Sequence, residues 1–302
     1  MSAAPAPASG PASGFVTRFA PSPTGRLHLG HAFSALEAFQ AARAADGRFL
    51  LRLEDIDVTR CRPEYEAAIL EDLAWLGLDW ERPVRRQSAH FPAYAAALER
   101  LAERGLVYRC FKTRKEIAEE IARAPHHPGE GPEGVIYPGP AAPMSADEEA
   151  ERVASGEAFA WRLSIRACRD FLGERFDTLV FLEDGEGPEG ETGGVTAKPD
   201  LLGDVILGRK DVGTSYHMAC VHDDALQGVT HVIRGRDLFF ATHLHRLLQA
   251  LMDLPVPVYR HHRLITGPDG ERFAKRDRSL TLAALREAGE TPEGVRARLQ
   301  AS

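Results

Sequence analysis

The fold is decided by the stretch RFAPSPTGRLHLGH, which runs from Arg18 to His31. Residues 15–20 predict a short buried strand, and the prolines and glycine that follow it end any regular element. From 29 to 45, apolar residues recur at helical spacing and predict a helix. Two histidines, His28 and His31, therefore fall where a strand gives way to a helix.

A strand-to-helix junction of this kind is suited to binding an anion. The first turn of a helix presents unpaired N–H groups and the positive end of the helix dipole. Gly30 leaves room for a phosphate or a base to approach the backbone, and His28 and His31 can donate hydrogen bonds to phosphate oxygens. The alternative, two structural histidines at a helix start, is disfavoured by the PSPTG turn before them.

The order of the predicted elements indicates the fold class. Strand, helix, strand and helix follow one another over 15–106, with the second strand at 48–53, where the residues alternate. This order predicts a parallel, doubly wound sheet of the Rossmann type in an α/β fold. The pattern changes over 107–200, which we interpret as an insertion of α+β character. Signals of the first kind resume over 201–255, so the nucleotide-binding fold is predicted to be split. A basic loop and short helices are predicted over 256–302.

The composition is that of an ordinary globular chain, with 44% hydrophobic and 27% charged residues. No apolar run is long enough for a membrane span. Residues 1–14 consist, after the first Met, of Ala, Pro, Ser and Gly, which predicts a disordered tail. The four cysteines lack CxxC spacing and fit a reducing cytoplasm. A net charge of −7 weighs against a large basic footprint for nucleic acid but leaves local basic patches.

Further motifs lie in order along the chain. They are RLEDID at 52–57, GDVIL at 203–207, SYHMACVHDD at 215–224, GVTHVIRGRDL at 228–238 and RFAKR at 272–276. With RFAPSPTG and HLGH, they resemble the motifs of glutamyl-tRNA synthetases, in which HLGH stands for the class I HIGH signature and RFAKR for the KMSKS loop. The resemblance implies a Rossmann-like class I synthetase catalytic domain, cytoplasmic and expected to act as a monomer.

Within that family the chain resembles the short members, the glutamyl-queuosine tRNA(Asp) synthetases. Only residues 277–302 follow the KMSKS-like loop. A segment of that length cannot form an independent domain, so we expect no anticodon-binding domain like that of the full-length enzymes.

A pocket for glutamate can be argued from charge matching. Glutamate has two carboxylates and one ammonium group, so its pocket needs two cationic forks and one anion. Arg18 and Arg234 can bind carboxylates through two N–H groups each, Glu54 supplies the anion, and Tyr216 adds a directed hydroxyl. The alternatives are a structural salt bridge for each arginine and a core aromatic on a strand for Tyr216. With the family's positions included, the predicted glutamate-binding residues are Arg18, Phe19, Ala20, Pro21, Ser22, Glu54, Tyr216 and Arg234.

The resemblance also implies the reaction. Glutamate is activated with ATP and Mg²⁺ to glutamyl-adenylate, and the acyl group then passes to queuosine at the wobble position of tRNA(Asp). His28, Gly30, His31 and Lys275 are the implied ATP-binding residues, and His28, His31 and Lys275 are the implied catalytic ones. The insertion at 107–200 would hold the anticodon stem-loop. Two alternatives stay open: a truncated glutamyl-tRNA synthetase that charges the 3′ end of tRNA(Glu), and an idle paralogue that binds tRNA.

No metal site is predicted. Many short members of the family bind zinc through CxC, a Tyr and a further Cys, but this chain has Cys110-Phe111-Lys112, Tyr137 and Ala141 at those places. Cys110 and Tyr137 are two of the four ligands that a closed zinc site needs, so zinc is not expected. The pairs His126-His127 and His261-His262 have no companions at ligand spacing.

Overall fold

The computed structural model describes residues 14–123, 129–132, 134–140, 142–265 and 281–301. Its strands are β1 (Val16–Phe19), β2 (Arg48–Leu53), β3 (Glu81–Arg86), β4 (Val107–Cys110), β5 (Glu130–Gly131), β6 (Gly134–Val135), β7 (Ala160–Leu163), β8 (Val180–Glu183), β9 (Gly193–Thr196), β10 (Ile206–Gly208), β11 (His231–Gly235) and β12 (Val258–His262). Its helices are α1 (Leu29–Ala44), α2 (Pro63–Trp75), α3 (Phe91–Glu103), α4 (Arg114–Arg123), α5 (Ala146–Ala154), α6 (Ile165–Leu172), α7 (Tyr216–Leu226), α8 (Phe239–Leu251), α9 (Leu282–Glu287) and α10 (Pro292–Ala301). The predicted tail up to residue 13 and Lys275 with its basic loop lie outside the described residues.

Two groups of parallel strands form the centre of the fold. β1 pairs with β2 and β2 with β3, while β11 pairs with β12 and β12 with β8, all in parallel. The groups meet at β1 and β11, where the Thr230 N–H donates to the Val16 carbonyl at 2.9 Å and the Val16 N–H donates to the Thr230 hydroxyl at 2.8 Å. The spatial order β3-β2-β1-β11-β12-β8 is that of a doubly wound Rossmann sheet. The predicted α/β fold is confirmed.

The strand order reverses between β1 and β11, and ligands of such sheets bind at the carboxyl ends of the strands at this switch point. Helix α1 begins beyond the end of β1 and packs on the sheet through small residues. Ala32, Ala35, Ala38 and Ala42 are fully buried, so the helix axis can approach the strands closely. This packing holds the first turn of α1, with its histidines, at the switch point.

A smaller antiparallel sheet, in the order β10-β7-β4, lies outside the parallel one. Its strands are accompanied by α4, α5 and α6 along the chain. Asp204 links strand and helix here, because its carboxylate accepts from the Tyr108 hydroxyl at 3.0 Å and from the Ile165 N–H at 2.9 Å. The buried side chains of this sheet, such as Val107, Leu163 and Leu207, belong to the same hydrophobic cluster as Val232 and Tyr259 of the parallel sheet.

Strand pairing differs from the predicted segments in three places. β8 lies within 107–200 but pairs with β12 of the parallel sheet. β12 lies within 256–302 but extends that sheet beside β11. β10 lies within 201–255 but pairs with β7 of the antiparallel sheet. The hydrophobic pattern of a short strand indicates which of its residues are buried. It does not indicate which distant strand it pairs with, so the pairing of β8, β10 and β12 could not be predicted.

No helix in the described part of the chain combines the length and hydropathy needed to cross a bilayer.

Candidate active site

A cavity of about 370 Å³ opens at the switch point. It lies at the ends of β1, β2 and β11 and at the first turns of α1 and α7. The predicted site residues that line it are Arg18, Phe19, Ala20, His28, Gly30, His31, Glu54, Tyr216 and Arg234. Pro21 is buried and Ser22 exposed in the turn after β1, and neither is among the lining residues. Lys275 lies outside the described residues.

The arginine at the end of β1 is held by a buried ion pair. Asp224, on α7, accepts from Arg18 Nε at 3.0 Å and from Arg52 Nη1 at 2.6 Å. Arg52 in turn donates from Nη2 to Glu54 Oε1 at 3.0 Å. Two guanidinium groups and two carboxylates therefore form one network under the cavity floor, and their formal charges cancel. The network orders Arg18 and Glu54 before any ligand arrives.

The electrostatics of this network follow from its burial. Burial is the largest single effect on Arg18 and opposes its charge, but the pKa of that guanidinium is raised, mainly through the charge and hydrogen bond of Asp224. Burial also raises the Asp224 pKa, yet Arg18 and Arg52 outweigh it and hold that pKa below its usual value. Burial raises the pKa of Glu54, against the opposing effect of Arg52. A cation bound beside Glu54 would favour its carboxylate form, which suits an ammonium subsite.

Cys220 contacts the same network of buried charges. Its thiol donates to Asp224 Oδ2 at 3.5 Å, and its sulfur lies 3.6 Å from Arg52 Nη2. Burial raises the pKa of this thiol to about 12, so it stays protonated. Cys220 therefore acts here as a small, neutral packing residue with a weak donor.

The second arginine, Arg234, lies on β11 and is oriented by three hydrogen bonds. It donates from Nη1 to the Tyr216 hydroxyl at 3.2 Å, from Nη2 to the Thr242 hydroxyl at 2.7 Å and from Nε to His261 Nε2 at 3.1 Å. Burial raises the pKa of Tyr216 well above its ordinary value, so its hydroxyl keeps a proton to donate. Tyr216 is the first residue of α7, not the strand residue considered as an alternative.

The two histidines of HLGH cap α1 and brace each other. His28 Nδ1 accepts from the Gly30 N–H at 3.1 Å, and His31 Nδ1 accepts from the His28 N–H at 3.2 Å. The rings stack with centroids 3.7 Å apart. In a neutral imidazole with Nδ1 accepting, the proton resides on Nε2. Both ring protons therefore lie on Nε2, and the Gly30 and His28 N–H groups are engaged in the cap.

Gly30 is required by the His28 ring rather than by an unusual backbone conformation. A Cβ added at Gly30 would lie 3.1 Å from His28 Cε1 and 3.2 Å from Nδ1. Such contacts would displace the imidazole or loosen the cap.

We predict that Gly30→Ala raises the KM for ATP several-fold, because the shifted His28 ring no longer presents its donor as it does here. ATP–pyrophosphate exchange measures this effect. Gly25→Ala is the matched control, since a Cβ at Gly25 meets nothing within 4 Å and should leave the KM for ATP unchanged. Equal kinetics for both variants would contradict this account of Gly30.

A second, larger cavity of about 1230 Å³ lies between the parallel sheet and the antiparallel one. Tyr216 belongs to the lining of both cavities. The arginines along it are Arg60, Arg114, Arg162 and Arg209. Guanidinium groups in such a cleft suit a polyanion that must reach the first cavity.

The residues at the family's zinc position form a different network. Lys112 Nζ lies 2.6 Å from Glu120 Oε2, and the Tyr137 hydroxyl donates to the same oxygen at 3.1 Å. Cys110 is buried nearby on β4, while Ala141 lies outside the described residues. One thiol, one phenol and the Glu120 carboxylate that pairs with Lys112 are fewer than the four donors of a closed zinc site, and the Lys112 ammonium would repel the ion.

Arg52, Asp224, Thr242 and His261 were not predicted as site residues. Arg52 and Asp224 stand inside quoted motifs, and the spacing of Arg52 and Glu54 on one face of a strand was a usable signal. His261 was considered only as one of an adjacent histidine pair. It contacts Arg234 through strand pairing of β11 with β12, and no local pattern indicates that contact.

Residues 15–300 match the family model of class I tRNA synthetases (E and Q), catalytic domain. The chain therefore belongs to the class I aminoacyl-tRNA synthetases of this type, which are ligases that use ATP.

Individual proteins of known name are similar to this chain. The chain is 47% identical over 286 residues to the glutamyl-Q tRNA(Asp) synthetase of Rhodobacter capsulatus, covering 93% of this chain and 98% of the relative. It is 35% identical to the glutamate–tRNA ligase of Aquifex aeolicus, of which it spans 55%. Among solved structures, the glutamate–tRNA synthetase of Elizabethkingia anophelis superposes with a TM-score of 0.70 at 25% identity, over 88% of this chain and 53% of that one.

Proposed function

We propose that the chain activates L-glutamate with ATP and transfers the glutamyl group to queuosine at the wobble position of tRNA(Asp). The observation that carries the proposal is the charge pattern of the 370 Å³ cavity. Arg18 and Arg234 face it as two fixed cationic forks, and Glu54 faces it as the anion. The likeness to the Rhodobacter capsulatus relative over 98% of that relative's length supports the acceptor.

In the proposed binding mode, each buried arginine takes one carboxylate of glutamate. Arg18 is neutralised directly by Asp224, so it binds by directed N–H groups more than by net charge. Arg234 keeps its terminal nitrogens near Tyr216 and Thr242, and Tyr216 donates to the same carboxylate. Glu54, with Oε1 on Arg52, turns its other oxygen to the substrate ammonium.

In the first step, an oxygen of the glutamate α-carboxylate attacks the α-phosphorus of ATP, and the bond to the bridging oxygen of pyrophosphate breaks. The Nε2–H groups of His28 and His31 donate to the phosphate oxygens as charge spreads over them. Mg²⁺ accompanies the triphosphate, because this ion binds mainly through phosphates and water, and supplies neutralising charge. Lys275 remains a predicted third group on the phosphates.

In the second step, a hydroxyl oxygen of the tRNA attacks the acyl carbon of the adenylate, the bond from that carbon to the phosphate oxygen breaks, and AMP leaves as the hydroxyl proton is released. The acceptor reaches the adenylate through the larger cavity, whose lining meets the smaller one at Tyr216. We propose that the antiparallel sheet of the insertion holds the anticodon stem-loop beside this cleft. Contacts from arginine to phosphate would set its register. The proposed enzyme acts as a monomer in the cytoplasm.

Charging assays test the acceptor. With radiolabelled glutamate and ATP, we expect acylation of tRNA(Asp) that carries queuosine and none of tRNA(Asp) that lacks it or of tRNA(Glu). Periodate oxidises cis-diols both at the 3′ end and on queuosine. Queuosine-lacking tRNA(Asp), which has only the 3′ diol, is therefore assayed beside the queuosine-carrying tRNA(Asp), with and without periodate, as the control. Acylation of tRNA(Glu) at its 3′ end would instead establish a truncated glutamyl-tRNA synthetase, and no exchange or acylation would establish a non-catalytic paralogue.

A further inference from the structure

A buried carboxylate and a buried imidazole lie in a row behind Arg234. Glu183, at the end of β8, and His261, on β12, are 1% and 2% exposed. Glu183 Oε2 lies 2.6 Å from His261 Nδ1. The other oxygen, Oε1, accepts from the backbone N–H groups of His261 at 2.8 Å and Gly185 at 2.9 Å. His261 Nε2 lies 3.1 Å from Arg234 Nε.

The direction of every hydrogen bond in this row is determined. A guanidinium N–H can only donate, so His261 Nε2 must be the unprotonated nitrogen. The His261 proton therefore lies on Nδ1 and is donated to Glu183. The Thr242 hydroxyl accepts from Arg234 Nη2 at 2.7 Å and lies 3.3 Å from the same imidazole nitrogen.

Electrostatics keep the imidazole neutral. Burial lowers the pKa of His261 to about 4, and Arg234 adds to this effect while Glu183 opposes it. The negative charge of Glu183 therefore compensates Arg234 through a neutral ring. Arg18 differs, because Asp224 contacts its Nε and Nη2 directly.

We infer that Glu183 and His261 are positioning residues that aim the Arg234 guanidinium at the substrate carboxylate and leave one N–H on each of its terminal nitrogens for the ligand. This inference rests on the proposed function of the cavity. His261 accepts from Arg234 Nε alone, and Nη1 and Nη2 each use one N–H on Tyr216 and Thr242, so each terminal nitrogen keeps a second N–H for the ligand. Glycine at position 185 leaves room for this arrangement, because a Cβ at Gly185 would lie 2.5 Å from the His261 carbonyl oxygen and 2.9 Å from Glu183 Oε1.

Glu183→Gln is a sharp variant because no orientation of the amide satisfies the row. If the amide NH₂ faces His261 Nδ1, that nitrogen must accept and the ring proton moves to Nε2, against the Arg234 N–H. If the amide oxygen faces Nδ1, the NH₂ group meets the two backbone N–H groups instead. Either orientation brings two donors together, at nearly unchanged side-chain volume.

Two further variants separate the contacts of His261. His261→Asn retains a donor that reaches Glu183 but has no acceptor for Arg234. His261→Gln places its amide oxygen near the former Nε2 and can accept from Arg234. His243→Gln is the matched control, because His243, on α8, is also a buried histidine but accepts from the Lys198 N–H at 3.2 Å and not from Arg234.

The test is ATP–pyrophosphate exchange in the presence of total tRNA, with separate titrations of glutamate and ATP and a thermal melt of each variant. We expect Glu183→Gln and His261→Asn to raise the KM for glutamate at least tenfold, with the KM for ATP and kcat within about twofold of wild type. His261→Gln should recover part of the loss, and His243→Gln should leave both KM values unchanged. If Glu183→Gln fails to fold, His261→Asn and its partial rescue decide the matter.

Three results would overturn the inference: an unchanged KM for glutamate in a folded His261→Asn variant, an equal rise in both KM values, or no difference between His261→Asn and His261→Gln. If the wild-type enzyme is active and any of these results is found, only the positioning role of Glu183 and His261 is refuted. If the wild-type enzyme shows no glutamate-dependent exchange, the proposed function is refuted, and the positioning role of Glu183 and His261 is refuted with it.

Discussion

Asp224→Asn is expected to lower kcat/KM for glutamate by at least ~100-fold, because it removes the shared counterion of two buried arginines. Breaking a buried ion pair on one side costs about 3–5 kcal/mol, and each 1.36 kcal/mol corresponds to about tenfold in an equilibrium or rate constant. Arg52 is fully buried and Arg18 is 4% exposed, so solvent cannot replace the lost carboxylate. The Asn amide would also direct N–H groups at one of the guanidinium groups.

Steady-state exchange kinetics and a denaturant melt check this prediction together. Asp223→Asn is the matched control: Asp223 is the preceding residue and fully buried, but it accepts from Tyr94 at 2.8 Å and pairs with Arg85 at 2.8 Å. Both variants should lose stability, and only Asp224→Asn should lose glutamate activation by this factor. A similar fall in kcat/KM for both would show that the network acts through stability alone.

Arg234→Lys is expected to raise the KM for glutamate by roughly 100-fold, although the charge is retained. A lysine ammonium cannot reproduce the planar fork or the three directed hydrogen bonds to Tyr216, Thr242 and His261. The substrate carboxylate would then lose a bidentate partner, and the buried acceptors would lose their donor.

Arg236→Lys is the control for this substitution. Arg236 follows β11 and forms an ion pair with Glu186 at 3.4 Å in a partly exposed position. Such pairs contribute little, so the KM for glutamate should stay at the wild-type value. Exchange kinetics with glutamate titrated at saturating ATP give the measurement. An Arg234→Lys enzyme within a few-fold of wild type would remove Arg234 from the proposed pocket.

The parts of the fold that sequence predicts well are those with a local cause. The predicted helix at 29–45 agrees with α1 at Leu29–Ala44, and the predicted strand at 48–53 has the bounds of β2. Both have clear periodicity. β3, with the sequence ERPVRR, was not predicted, because it carries charges and a proline and is mostly exposed. Its strand character comes from pairing with β2, which is a tertiary effect.

In the candidate site, too, some residues could be predicted from the sequence and others could not. Chemical matching selects Arg18, Glu54 and Arg234, and the structure brings them to one cavity. The residues that hold these three side chains in place cannot be predicted from sequence, because they are distant in the chain and come into contact only in the folded protein. Asp224 reaches Arg18 over 206 positions of sequence, and Glu183 reaches His261 over 78. Nothing in the residue types near Glu183 distinguishes it from a solvated surface acid.

We propose that two buried arginines and one glutamate select a dicarboxylic amino acid with a side chain of glutamate's length. The decisive experiment is amino-acid-dependent ATP–pyrophosphate exchange by the wild-type protein, compared for glutamate, glutamine and aspartate. We expect kcat/KM for glutamate to exceed that for the other two by at least ~100-fold, because each of them leaves a buried fork without its carboxylate. Exchange supported equally well by glutamine would contradict the account.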